Sequence, residues 1–218
     1  MNLLAHAFVA LGVGAGAPAP DSDYVFGALL PDLASMAGVR FDRSALPPVV
    51  DDGVVCHLRT DAAFHLLPAF MAGSAAIRRD VRAAGLSAGA SRAVGHVGWE
   101  LLLDGTLIGT STHAVYRTAL DRAEGAAPAI SDPTRWSWLL RHRDQLGWPR
   151  YDDPAWIAER LHRILDGRRL LRFDAPHVPV VARVLEDHAA AVATAAGEVL
   201  TATTDAVRAP ESGADRKG

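Results

Sequence analysis

The apolar residues of this chain recur at intervals of three and four, and they rarely alternate one-for-one with polar ones. Leu3, Leu4, Phe8 and Leu11 open the pattern, and Val50, Val54, His57, Leu58, Asp61, Phe64 and His65 repeat it. A period near 3.6 builds helices, whereas a half-buried strand needs a period of two. Abundant alanine, leucine and arginine favour the same state. The expected fold is all-α, a single-domain helical bundle over residues 1–207, with a polar, frayed tail over 208–218. A chain of 218 residues suits one domain with a core of its own.

Breakers and caps divide this bundle. A first helix is broken by the small, Gly- and Pro-rich stretch from Gly12 to Pro20. Asp21 or Ser22 caps a second, which Pro31 soon disturbs. A loop is expected around Gly38–Pro48. A helix from Val49 to Ala72 is kinked or divided at Pro68, and another runs from Ala75 to Ala84. Later helices are expected from Ser87 to about Leu107, His113 to Glu124, Pro133 to Leu146, Pro154 to Asp166 and Val178 to Val207. No internal repeat or linker is visible.

Two of these helices carry polar stripes in apolar surroundings. His57, Asp61 and His65 follow one another at intervals of four, and so do His96, Glu100 and Asp104. Four residues advance a helix by about 400°, so each set forms one slowly drifting stripe. Facing stripes would gather up to six metal-capable groups, the arrangement that builds metal sites inside helical bundles. Valine, leucine and tryptophan flank both stripes, so the carboxylates need a compensating charge. A divalent cation is one compensation; an arginine such as Arg59 or Arg92 is another. His6 and Asp32 also interrupt apolar helices and join the candidate ligands.

The remaining histidines are expected in surface or loop roles: His113, His142, His162 and His188 on helices, and His177 beside Pro176. Cys56 points about 100° away from His57 on a helix, which argues against a Cys–His nucleophile pair. No phosphate-binding loop is present, since Gly12-x-Gly14-x-Gly16 lacks the Lys-Ser/Thr ending and a preceding strand. A net charge of −3 argues against general nucleic-acid binding. No apolar run is long enough to span a bilayer. The opening residues lack the basic stretch of a signal peptide, and one cysteine suits a reducing compartment, so a cytoplasmic location is expected.

The start, Met1-Asn2-Leu3-Leu4-Ala5-His6-Ala7, resembles the opening of the acyl carrier protein phosphodiesterase family. The blocks that follow in order are similar to it too: Gly27-x-Leu29-Leu30-x-Asp32, then Gly53-x-x-x-His57-x-Arg59-x-Asp61, then Trp99 followed by an acid. Arg141-His142-Arg143-Asp144 and the helix from Trp156 to Arg169 match more loosely. The resemblance implies a helical relative of the His-Asp metal-dependent phosphohydrolases. It implies hydrolysis of the phosphodiester between 4′-phosphopantetheine and a serine of holo-acyl carrier protein, with a divalent metal, commonly manganese. His6, Asp32, His57 and Asp61 match family positions.

The chain also departs from the family pattern. His65 stands where an acid is usual, and the D-x-x-W-D-H run becomes His96-Val97-Gly98-Trp99-Glu100-Leu101. The ligand mix is therefore richer in nitrogen, which favours zinc or iron over manganese. The expected ligands are His6, Asp32, His57, Asp61, His65, His96 and Glu100. Asp61, Glu100 and Asp104 are the candidates for proton transfer, and Arg59 or Arg92 for clamping a phosphate oxygen. The stretch from Arg135 to Arg172 holds nine arginines against five acids, a patch able to steer an acidic acyl carrier protein. Two other readings stay open: a hydrolase or iron-dependent oxidative enzyme acting on a small molecule, and a non-catalytic binding protein on the same scaffold.

Overall fold

The structure is a computed structural model that describes residues 1–14 and 21–209. Among them are ten α-helices and no strand, so the fold is all-α; a lone bridge pairs Phe41 with Ile130. The helices are α1 (Leu3–Gly14), α2 (Ser22–Ala37), α3 (Pro48–Phe64), α4 (Pro68–Ala83) and α5 (Ala88–Gly105). Then come α6 (Ser111–Leu120), α7 (Pro133–Arg141), α8 (Arg143–Gly147), α9 (Pro154–Asp166) and α10 (Val178–Arg208). Short 3-10 segments lie at Arg43–Ala45, Asp121–Ala129 and Ala175–His177.

Helix α1 is apolar all round and therefore sits in the middle. Leu3, Leu4, Ala5, Ala7, Val9 and Ala10 are all buried, and α2, α3, α5, α6 and α10 surround them. Asp104 ties its start down. The carboxylate accepts from the backbone of Leu4 at 3.0 Å and of Ala5 at 2.9 Å, taking two of the donors that a helix start leaves free. The buried apolar residues form one cluster running from Met1 to Val207.

Helices α2 and α3 touch backbone to backbone. A methyl group added at Gly27 would lie 2.1 Å from the Val50 carbonyl oxygen, and one at Gly53 would lie 2.2 Å from that of Tyr24. Only glycine permits this approach, which places the middle of α3 against the middle of α2. Helices α4 and α5 form a second close pair, with Gly95 against the Ser74 carbonyl and the stem of Arg78.

Several boundaries differ from the expectation. Asp21 caps α2 by accepting from the Asp23 backbone, yet the helix runs past Pro31 to Ala37. The proline forfeits one hydrogen bond there, and tertiary packing carries the helix through. Gly38, at φ 65°, ends it by donating to the Ala34 and Ser35 carbonyls. Of the two outcomes expected at Pro68, kink or division, the structure shows division: residues 65–67 separate α3 from α4, Pro68 opens α4, and the helix expected at Ala75–Ala84 belongs to α4. The helix expected to reach Glu124 ends at Leu120, and Pro133–Leu146 is divided at His142. Arg208 still belongs to α10, and the Ala209 carbonyl accepts a hydrogen bond from Arg59. The rest of the expected tail, and most of the Gly12–Pro20 breaker, lie outside the described residues. Among the described residues no helix is long and apolar enough to cross a membrane.

Candidate metal centre

The two polar stripes do converge, but they divide into two neighbouring triads. His6, His57 and Asp61 form one; His65, His96 and Glu100 form the other. In each, one ligand atom per residue lies within 4.8 Å of the others, the spread of groups able to share an ion.

The first triad is assembled from α1 and α3. His6 and His57 stack with ring centres 3.9 Å apart. Nε2 of His6 lies 3.3 Å from Asp61 Oδ1, and Nε2 of His57 lies 3.5 Å from Asp61 Oδ2. Nδ1 of His57 donates to the Ala28 carbonyl at 2.9 Å, across the seam that the two glycines open. That bond fixes the tautomer and leaves Nε2 as a lone-pair donor aimed at Asp61, the usual support of a metal-binding imidazole. Asp32 of α2 comes within 3.8 Å of His6 Nε2.

The second triad joins the end of α3 to α5. His65 lies just past the last turn of α3, which lets it turn towards Glu100 at 3.2 Å. His96 reaches the same Oε1 at 3.1 Å from one turn earlier on α5. Phe70 packs beside both imidazoles, and Phe64 and Trp99 extend this aromatic wall. One cation stands between the triads. The α-ammonium of Met1 contacts Asp61 at 2.8 Å and Glu100 at 3.1 Å, so the two carboxylates face each other across it.

The protonation states favour cation binding. Burial pushes His6 down to about 3 and lowers His57 as well, so both imidazoles are neutral near pH 7. Burial alone would raise Asp61 and Glu100. His6 and the Met1 ammonium hold Asp61 well below the usual carboxylate range, and His65, His96 and that ammonium do the same for Glu100. Burial raises Asp32 to about 7. Two anionic carboxylates thus face a single ammonium, with a third close to ionising. Both ring nitrogens of His6 and Oδ2 of Asp32 are buried without a hydrogen-bond partner. Unpartnered buried donors and acceptors are costly, and a metal ion would satisfy Nε2 of His6 and the Asp32 oxygen together.

Two expected site residues serve elsewhere. Asp104 is fully buried with both oxygens committed to α1, so its role is to anchor the helix that carries His6; burial raises it to about 7 against those backbone bonds. Arg59 lies 200° round α3 from Asp61, given 100° per residue, and bonds to the Ala209 carbonyl instead. Arg92 stands apart from the triads, in a cavity between α4 and α5.

Three of the other histidines, His113, His142 and His162, pin backbone carbonyls. His113, expected at the surface, is buried, with Nε2 2.8 Å from the Gly147 carbonyl and Nδ1 accepting from Gly109. His162 bonds to the Phe173 carbonyl, and half-buried His188 pairs with Asp80 at 2.8 Å. Cys56 is buried against Thr60, away from His57. Within the Arg135–Arg172 stretch, Arg135, Arg143 and Arg150 pair with Asp132, Glu124 and Asp153, and Arg160 lies over Trp156. The Met1 ammonium had no signal in residue patterns, because it is a backbone group. No family model, curated protein or solved structure matches this chain.

Proposed function

We propose that this chain is a metal-dependent, phosphodiesterase-like hydrolase acting at the paired triads. The observation that carries the reading is the convergence of imidazoles and ionised carboxylates around buried polar atoms that lack partners. A divalent ion in such a shell supplies Lewis acidity towards a phosphoryl oxygen and an activated water. His6, His57 and Asp61 would hold one ion, with Asp32 beside them; His65, His96 and Glu100 offer a second position. Four imidazoles against three carboxylates suit zinc or iron better than manganese.

The chain's own residues set the rest. His57, locked by the Ala28 carbonyl, keeps its lone pair on the site. Asp61 lies between His6 and His57 and, held well below the usual carboxylate range, serves as an anionic ligand. Glu100, held by two imidazoles, serves as a ligand and not as a mobile base. The sequence blocks around His6, Asp32, His57 and Asp61 support holo-acyl carrier protein as substrate, with 4′-phosphopantetheine released. The nitrogen-rich second triad supports, as a second reading, the same hydrolysis on a small phosphodiester.

Metal analysis of protein purified without an affinity tag comes first; a metal-free protein that gains no ion on reconstitution would leave only a non-catalytic binding role. Metal-loaded protein is then incubated with holo-acyl carrier protein and, separately, with a small chromogenic phosphodiester. Release of 4′-phosphopantetheine is expected, and Asp61→Ala, shown by circular dichroism to fold, should abolish it. Intact carrier protein across zinc, iron and manganese would end the carrier-protein reading, and inertness towards both substrates would end the hydrolase reading.

A further inference from the structure

The turn joining α4 to α5 holds a cavity of about 290 Å³ lined by Arg78, Arg82, Ala88, Ser91 and Arg92. Three guanidinium side chains meet there, and among the described residues none of them forms an ion pair. The nearest acid on α4, Asp80, is taken by His188 at 2.8 Å and Arg79 at 3.4 Å. Arg82 donates one N–H to the Leu86 carbonyl at 2.5 Å, which fixes its head over the turn and leaves its other donors available. Gly95 lets the stem of Arg78 lie directly against α5. Like charges gathered without a counter-charge repel, so the arrangement is stabilised by an anion with several acceptor oxygens. Guanidinium forks match the oxygens of phosphate in pairs.

Arg92 of the cavity and two residues of the second triad share one face of α5. Arg92, His96 and Glu100 follow at intervals of four on α5, so Arg92 stands about 6 Å along the axis from His96. A ligand reaching from the second triad to the arginines would carry a second anionic group one or two helical turns from the reacting one.

We infer that the Arg78–Arg82–Arg92 cavity is a phosphate-binding subsite that holds a phosphate group of the substrate remote from the bond being cleaved. The substrate role rests on the hydrolase reading in its small-phosphodiester form, because the phosphopantetheinyl linkage of a carrier protein holds only the scissile phosphate; the phosphate site itself rests on the arginine geometry. The three side chains are exposed, so their replacement should leave folding intact.

The first arm of the test uses full-length protein held metal-free by a chelator, with inorganic phosphate as the probe. Calorimetry or phosphorus NMR should show binding that weakens about tenfold or more in Arg82→Ser and Arg92→Ser and declines with salt. Arg163→Ser, on the exposed face of α9, should leave it unchanged. No binding, or binding indifferent to the cavity arginines, overturns the subsite. The second arm uses metal-loaded protein and two phosphodiesters, one of which bears an extra terminal phosphate. The extra group should lower KM about tenfold in the wild type, and Arg92→Ser should erase that gain with kcat unchanged. Hydrolysis with no gain from the terminal phosphate overturns the substrate role. Arginine-dependent phosphate binding without hydrolysis of either diester supports the phosphate site and refutes the hydrolase reading instead.

Discussion

Asp32 and His6 lie 3.8 Å apart, yet burial moves them in opposite directions, Asp32 up to about 7 and His6 down to about 3. A carboxyl raised in this way holds its proton until near neutrality and must release it to bind a cation. His6, at about 3, is already neutral and releases none, and burial lowers His57 in the same direction. Metal affinity should therefore rise about tenfold per pH unit from about pH 5 to about pH 7 and then level. Asp32→Asn should remove that slope. Calorimetry in two buffers of different ionisation heat measures the proton released; a slope that survives the substitution would exclude Asp32 from the shell. The stripes were legible because an interval of four keeps side chains on one face. Each step also drifts about 40°, so Asp104 has turned about 80° from His96 and meets α1 instead. His65 escapes the same drift by lying beyond the end of α3, where helix end and pattern disagree. His113 could not be read, because a buried histidine bonded to a carbonyl leaves no pattern in sequence.

At the scale of elements, the seam between α2 and α3 decides whether His57 reaches the site. Gly27 and Gly53 stood out in the sequence only as members of the similar blocks; their reason is backbone contact, which is a tertiary property. Gly27→Ala should force the helices apart, at a cost of about 3 kcal/mol, and detach Nδ1 of His57 from the Ala28 carbonyl. Metal affinity should fall with stability. The contrast is Gly197→Ala in α10, where an added methyl meets nothing and should stabilise by roughly 0.5–1 kcal/mol through helix propensity. Urea unfolding of the two variants, with equal m-values, checks both signs; a Gly27→Ala protein as stable as wild type would dissolve the seam argument. Pro31 and Pro68 show the limit of reading elements locally. One was overridden by packing and the other began a new helix, although both carry the same covalent restraint.

For the molecule as a whole, one apolar cluster from Met1 to Val207 predicts a single unfolding transition. An ion at one hundred times its Kd adds about 2.7 kcal/mol, and each kcal/mol moves Tm by about 2–4 °C at this size. Zinc or iron should thus raise Tm by roughly 5–10 °C in scanning calorimetry, and by distinctly less in Asp61→Ala, which keeps only the second triad. A rise as large in the variant as in the wild type would exclude the first triad as the ion's site. The all-α class was legible at this scale because periodicity repeats along the whole chain. The division into two triads was not, since it depends on how α1 enters between α3 and α5. That entry has a cost in time. The bonds from Leu4 and Ala5 to Asp104 span 100 and 99 positions of chain. Contacts so far apart form late, after most of the loop-closure entropy has been spent. A growing chain therefore carries α1, greasy on every side, through the synthesis of four further helices before its anchor exists. Chaperones that shield nascent apolar segments should bind this protein most strongly before α5 has emerged from the ribosome.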